Sequence, residues 1–319
     1  MPGAFFPYPI IAGPTASGKT ALAVQVAKRL GGEVVSADSM QIYAGVSIGT
    51  ARPTPEEMEG VPHHLLGFLP LQEKYSVARY MEDTDKVFSA IFARGSLPVM
   101  CGGTGLYIQS FMENRQLFEQ PPAPALRQEL TAFAEEHGQT ALIERLRQVD
   151  PESAQRLHPN DRNRIIRALE VFYTTGRTIG EQDRLSHSCP SRYSPCLFVL
   201  DFRDRQRLYD RIGRRVEQML ECGLLEEARR VLLTDRDATV TQAIGYKEFD
   251  GYFTGEISLE EAAERLKQQT RRYAKRQLSW FRRMSDAHTV WVDDCEGGEQ
   301  LTEQVVRIFS EFCDREGEK

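Results

Sequence analysis

The sequence predicts an α/β fold, a parallel sheet flanked by helices and interrupted by an all-helical insertion. Three observations predict it. Gly13-Pro14-Thr15-Ala16-Ser17-Gly18-Lys19-Thr20 fits the phosphate-loop pattern G-x-x-x-x-G-K-[ST] and lies between an apolar run and a helical pattern, the strand–turn–helix context such a loop requires. Short runs rich in Val, Ile, Leu and Phe alternate with helical periodicities, as expected of parallel strands covered on both faces. From Gln116 to Pro195, about 80 residues, there is no convincing strand pattern. The core therefore reads as a P-loop NTPase-like parallel sheet.

Taken in order, Tyr8–Ala12 is the first strand and leads into the loop, and Ala21–Leu30 is the helix after it. Further strands are expected at Glu33–Ala37, His64–Phe68, Leu97–Cys101, Cys196–Phe202 and Thr289–Asp293. The insertion opens with Pro121, Pro122 and Pro124 and predicts helices over Ala125–His137, Gln139–Val149, Pro151–Leu157 and Asp161–Thr175. It closes in a polar stretch with Pro190 and Pro195. Helices over Arg203–Cys222, Leu224–Leu233, Ser258–Met284 and Glu299–Asp314 follow. The expected division is a catalytic core of 1–115 and 196–319, with an insertion domain of 116–195.

The 319 residues suffice for a sizeable core. No apolar run approaches the roughly 20 residues needed to span a bilayer, and no basic n-region marks a signal peptide. The six cysteines are scattered, without a C-x-x-C pair, which suits reduced thiols of a cytoplasmic protein. His63-His64 is a poor metal pair, because adjacent residues on a strand point to opposite faces. Nothing demands a dimer, so a monomer is expected. The net charge of −6 averages two unlike segments. Arg271–Arg283 holds six basic residues and no acidic one, whereas Met284–Lys319 holds ten acidic and three basic. A polyanion would feel the basic stripe, not the mean.

The loop aims backbone N–H groups and a helix N-terminus at one anion; Lys19 adds a point charge, and the Thr20 hydroxyl can hold Mg²⁺. Asp38, ending the second strand, falls where ligands bind in such sheets. It can ligate a metal or accept a proton, or serve only as a turn or N-cap residue. Gly102-Gly103-Thr104-Gly105-Leu106-Tyr107 follows another strand and permits close backbone approach, although a plain tight turn explains it equally well. Three basic stretches remain: Arg162 to Arg167; the series Arg203, Arg205, Arg207, Arg211, Arg214 and Arg215; and Arg271 to Arg283 with Tyr273 and Trp280. Together they point to RNA, against the alternative of solvated helix faces. No N-K-x-D guanine signature is present. Leu197–Asp201 resembles a Walker-B strand, which keeps an ATP-dependent small-molecule kinase as the alternative.

Taken together these motifs resemble the tRNA dimethylallyltransferase (tRNA isopentenyltransferase) family. The phosphate loop is joined, in the family's order, by Ser36–Tyr43, Ile48–Ala51, Gly102–Tyr107, His158–Asp161, Arg167–Glu170, Gln242–Lys247 and Lys275–Trp280. The resemblance implies transfer of a dimethylallyl group from its diphosphate to N6 of the adenosine just 3′ of the anticodon, with Mg²⁺. It implies that Gly13, Pro14, Thr15, Ala16, Ser17, Gly18, Lys19, Thr20 and Arg211 bind the diphosphate, and that Asp38 is the general base beside Lys19, Thr20 and Arg211. It implies tRNA contact at Asp38, Ser39, Met40 and Gln41, at Thr104 and Arg127, and at Asn163, Arg164, Ile165, Ile166 and Arg167. The same holds for Gln242, Ala243, Ile244, Gly245, Tyr246 and Lys247, and for Lys275, Arg276, Gln277, Leu278, Ser279, Trp280, Phe281 and Arg282. The acidic C-terminal helix, without a zinc finger, resembles the bacterial type.

Overall fold

The computed structural model describes residues 6–116, 123–186, 191–233 and 239–317. Pro121, Pro122 and Pro190 lie outside them. The chain forms two compact units, Met1–Met112 with Arg192–Lys319, and Glu113–Ser191.

The first unit is built on six strands: β1 (Phe6–Ala12), β2 (Gly32–Ala37), β3 (His63–His64), β4 (Leu97–Gly102), β5 (Tyr193–Asp201) and β6 (His288–Trp291). They pair in the order β3-β2-β4-β1-β5-β6, every pair parallel. Its helices are α1 (Lys19–Leu30), α2 (Pro55–Met58), α3 (Val77–Ala93) and α4 (Gly105–Met112). The second unit holds α5 (Pro124–Val149), α6 (Pro151–Arg156), α7 (Arg162–Thr175) and α8 (Ile179–Ser186). The first unit resumes with α9 (Arg205–Glu221), α10 (Leu224–Leu232), α11 (Asp250–Phe253), α12 (Leu259–Phe281) and α13 (Gly298–Gly317).

Side-chain alternation explains the layers. Ile11, Val34, Val99, Cys101, Phe198 and Leu200 pack on one face with α1 and α13. Tyr8, Ile10, Val35, Met100, Leu197 and Val199 pack on the other with α3 and α4. Both faces are buried, so the strands read as continuous apolar runs.

Two strands depart most from expectation, and β6 ends at Trp291, where a 3-10 turn over Val292–Asp294 replaces the last expected strand residues. β3 stops at His64, because Leu65 adopts φ 60 and Gly67 φ 60, and a left-handed backbone turns the chain out of the sheet. β5 begins at Tyr193, pairing Tyr8 with Pro195, so residues 193–195 belong to the sheet. In the helical unit the two predicted helices meet at Gly138, whose φ 83 and ψ 170 break α5. Leu130, Leu142, Leu146, Ile165 and Leu169 form this unit's own core.

A brace around the buried Glu33 ties the opening of β2 to the sheet edge. Glu33 accepts from Arg94 Nε at 2.6 Å and Nη2 at 2.5 Å, and its Oε2 lies 2.7 Å from His64 Nε2. The Arg94 guanidinium, with His64, holds the Glu33 carboxyl down at about 2. A depressed carboxyl stabilises the fold above its unfolded value of about 4.3 and loses that contribution as pH falls toward 2. Glu33→Gln is expected to lower stability at neutral pH and to flatten its decline between about pH 4.5 and 2. Urea midpoints across that range read this directly; an unchanged slope would remove the brace from acid unfolding.

Candidate active site

The C-terminal ends of β1, β2, β4 and β5 present the site. β1 runs into the phosphate loop, where Gly18 caps α1 with φ 92 and no side chain bonds the helix N-terminus. The first-turn amides are therefore not consumed by a cap. Ser17 is buried, and its Oγ has no hydrogen-bond partner. A hydroxyl without a partner inside a loop of N–H groups can donate to an anion or to a water. Lys19 Nζ donates to Pro14 O at 3.3 Å, across the loop. Burial pushes the Lys19 ammonium below its ordinary pKa; Cys101 opposes that shift and Arg215 adds to it.

Arg211 comes from α9. Ala16 takes φ 63, and its carbonyl accepts from Arg211 Nε at 2.7 Å. Desolvation lowers the Arg211 pKa, with neighbouring Arg214 adding to the effect. One turn on, Arg215 is lowered by burial and held up by the charge of Asp38. Among the described residues it makes no hydrogen bond. Lys19, Arg211 and Arg215 thus lie near one another, with Asp38 and Glu57 as the carboxylates that act on Arg215, an arrangement short of negative charge. Arg215 has the same face as Arg211 by its i+4 spacing, the signal that would have singled it out.

Asp38 lies just past β2. Its Oδ1 accepts from Met40 N at 2.9 Å and Gln41 N at 3.4 Å, so the turn role is real. Its Oδ2 accepts nothing from the described residues and remains open for chemistry. The Asp38 turn is walled by Thr104, whose Oγ1 accepts from Ser39 N at 3.0 Å while its own N–H donates to Ala37 O. Gln41 is spent internally, its Nε2 donating to Thr50 O and Ala51 O.

Thr20 Oγ1 makes no hydrogen bond among the described residues, unlike Thr270 and Thr302, which donate to the carbonyl four residues back. The described residues hold no group of three His, Cys, Asp or Glu that could bind a metal. One hydroxyl beside an anion cradle fits Mg²⁺, which is commonly held through few protein ligands and the substrate's phosphates.

Several residues expected to contact RNA have buried side chains. Ile165 and Ile166 lie in the helical unit's core, and Ala243, Tyr246, Leu278 and Phe281 are also buried. These side chains face the protein because each occupies the apolar stripe of its segment. Arg127 spends its guanidinium on Glu170, at 2.7 and 2.6 Å. Arg282 donates to Asp201 Oδ2 at 3.1 Å, and Arg205 takes Oδ1 of the same buried carboxylate. Asp201 is thus an anchor for two arginines rather than a free metal ligand. On α12, Lys275, Arg276 and Ser279 are exposed and Trp280 is half-buried; on α7, Asn163, Arg164 and Arg167 are exposed, as are Gln242 and Lys247.

Two residues outside the sequence motifs organise this edge. Glu227 of α10 is buried and accepts from Ser47, Ile48 and Gly49 N–H at 2.8, 3.1 and 2.7 Å, and from Tyr246 OH at 3.0 Å. Its signal was an acid on the apolar stripe of Leu224, Ala228 and Val231. Cys101 lies beneath the loop, its thiol pushed up to about 12 by burial, and is inert at neutral pH.

A family model described as IPP transferase matches residues 41–284. The tRNA dimethylallyltransferase of Geobacillus kaustophilus is 47% identical over 91% of this chain and 91% of its own. That of Thermoanaerobacter sp. (strain X514) is 44% identical over 94% of this chain and 96% of its own. Among solved structures, the full-length tRNA isopentenylpyrophosphate transferase from Bacillus halodurans matches with TM-score 0.70 at 40% identity, covering 97% of this chain and 99% of its own. A eukaryotic dimethylallyltransferase acting on tRNA matches with TM-score 0.82 at 28% identity, covering 97% of this chain and 80% of its own.

Proposed function

The chain belongs to the IPP transferase family, and on that premise we propose that it transfers a dimethylallyl group from dimethylallyl diphosphate to N6 of the adenosine 3′-adjacent to the anticodon in tRNA. The products are N6-isopentenyladenosine and diphosphate. The observation that carries the reading is the juxtaposition of an anion cradle, Ser17 with Lys19 and Arg211, and an Asp38 carboxylate with one open oxygen. A bond forms between N6 and C1 of the donor as the C1–O bond breaks. The electron pair leaves on the diphosphate, where Lys19, Arg211, Arg215 and the loop amides stabilise it. The N6 proton passes to Asp38 Oδ2. Mg²⁺, held by Thr20 Oγ1 and the diphosphate, would supply a Lewis acid at the departing oxygens. The adenosine leaves its stack to reach Asp38.

The kinase reading is not favoured by this family membership, and Asp201, the residue that suggested it, is occupied by Arg205 and Arg282. No helix of the described residues is long and apolar enough to cross a membrane. A cytoplasmic location and a monomeric enzyme belong to the same proposal. The deciding experiment supplies labelled dimethylallyl diphosphate and Mg²⁺ to an unmodified anticodon stem-loop, with AMP and ATP alongside. Label on the stem-loop supports the proposal, label on AMP makes the acceptor a free nucleotide, and ATP turnover without transfer restores the kinase.

The exposed charges of α12 make a separate expectation. Lys275→Ala with Arg276→Ala should weaken stem-loop binding and reduce the salt slope of its affinity by about 2. An unaltered slope in a titration across salt would make that face merely solvated.

A further inference from the structure

Gln277 lies on α12 between the exposed Lys275-Arg276 pair and Trp280, yet its side chain turns inward and is only 5% exposed. Its Oε1 accepts from Thr15 N at 2.9 Å, and its Nε2 donates to Gly103 O at 2.9 Å. Thr15 belongs to the phosphate loop. Gly103 precedes Thr104, the wall of the Asp38 turn. One carboxamide therefore joins three segments that are distant in sequence: the loop after β1, the loop after β4 and the helix that carries the basic stripe.

The chemistry of the bridge is restrictive. It needs an acceptor for Thr15 and a donor for Gly103 on one planar group, which a carboxamide supplies and a carboxylate does not. It also needs space at Gly103, since a Cβ there would stand 2.2 Å from Nε2 of Gln277. The other nearby group, Gly13 O, would lie at an ordinary 3.4 Å. The Gly103 position thus lacks a side chain because of Gln277.

We infer that Gln277 is a positioning residue that couples the two substrate sides. A polyanion docked on Lys275 and Arg276 fixes α12. Through Gln277 it fixes the phosphate loop at Thr15 and the Asp38 turn at Gly103–Thr104. This rests on the proposed reading, in which the loop holds a diphosphate and α12 meets RNA. Coupling of this kind is reciprocal, and typical factors are about 5- to 150-fold.

The test measures inorganic diphosphate binding to the full chain with Mg²⁺, alone and with an unmodified anticodon stem-loop present. The wild type, Gln277→Ala, Gly103→Ala and the double variant are compared. The stem-loop is expected to tighten diphosphate binding about tenfold in the wild type and about onefold in Gln277→Ala, with KM for the donor raised more than kcat is lowered. Gly103→Ala is expected to reproduce that loss and to add nothing in the Gln277→Ala background, since its clash is with Gln277. If Gln277→Ala does not fold, Gly103→Ala carries the measurement. No diphosphate binding to the wild type would overturn the proposed function. Binding without coupling, coupling that survives Gln277→Ala, or additive effects of the two changes would overturn this inference alone.

Discussion

Asp38→Asn is expected to slow transfer by about 10²- to 10⁴-fold, the range for loss of a positioned general base, while stem-loop affinity stays within about tenfold. Asn is the informative substitution because it divides the two duties of the side chain. Its carbonyl oxygen replaces Oδ1 and goes on accepting from Met40 N and Gln41 N, so the turn survives. Its amide nitrogen replaces Oδ2, and a nitrogen that donates cannot take the N6 proton. Single-turnover rates with saturating stem-loop isolate this step from binding. A wild-type rate in Asp38→Asn would remove Asp38 from the proton path and leave it a turn residue.

Glu227→Ala is expected to cost about 3–5 kcal/mol of stability, because it strands consecutive N–H groups and the Tyr246 hydroxyl together, each orphaned donor costing about 1–3 kcal/mol. The damage should spread to the active site along a defined route. Glu227 gathers the 47–49 backbone, the next two carbonyls, of Thr50 and Ala51, hold Gln41 Nε2, and the Gln41 N–H caps Asp38. Tyr246→Phe removes one of the four donors and should cost only about 1 kcal/mol. Denaturant midpoints of the two variants rank them. Equal losses would mean that Tyr246 rather than the 47–49 amides is the partner that matters.

Much of this was legible in the sequence, for local reasons. The phosphate loop, the strands flanking it and the break at Gly138 are written in spacing and in residues whose backbone preferences are strong. Direction was harder to read. Gln41 and Gln277 lie in segments that carry the family's pattern, yet each spends its polar group inside the protein, and the half-exposed Arg127 and Arg282 are paired with the buried carboxylates of Glu170 and Asp201. A motif fixes which residues stand together, whereas the facing of each side chain depends on neighbours from remote parts of the chain. Thr15 and Gln277 are separated by 262 positions, and no periodicity reports such a pair. β3 failed for the opposite reason. Its apolar pattern was sound, and two left-handed residues ended the strand regardless.

The strand order has a consequence for how the chain is made. β1 to β4 all lie within the first 102 residues and can pair while the ribosome still holds the remainder. The partner for the other side of β1 arrives only with Tyr193, after the helical unit, whose core draws on contiguous chain. For that interval the strand bearing the phosphate loop is an open edge, and it is also among the most apolar strands in the protein. Phe6 N donates to Arg192 O, so the even-numbered residues of β1 present their N–H and C=O groups to that edge, and Pro7 and Pro9 point away from it. The phosphate loop is therefore synthesised early and gains its second flanking strand only after the helical unit, and the speed of elongation through that unit sets how long the nascent edge stays unpartnered.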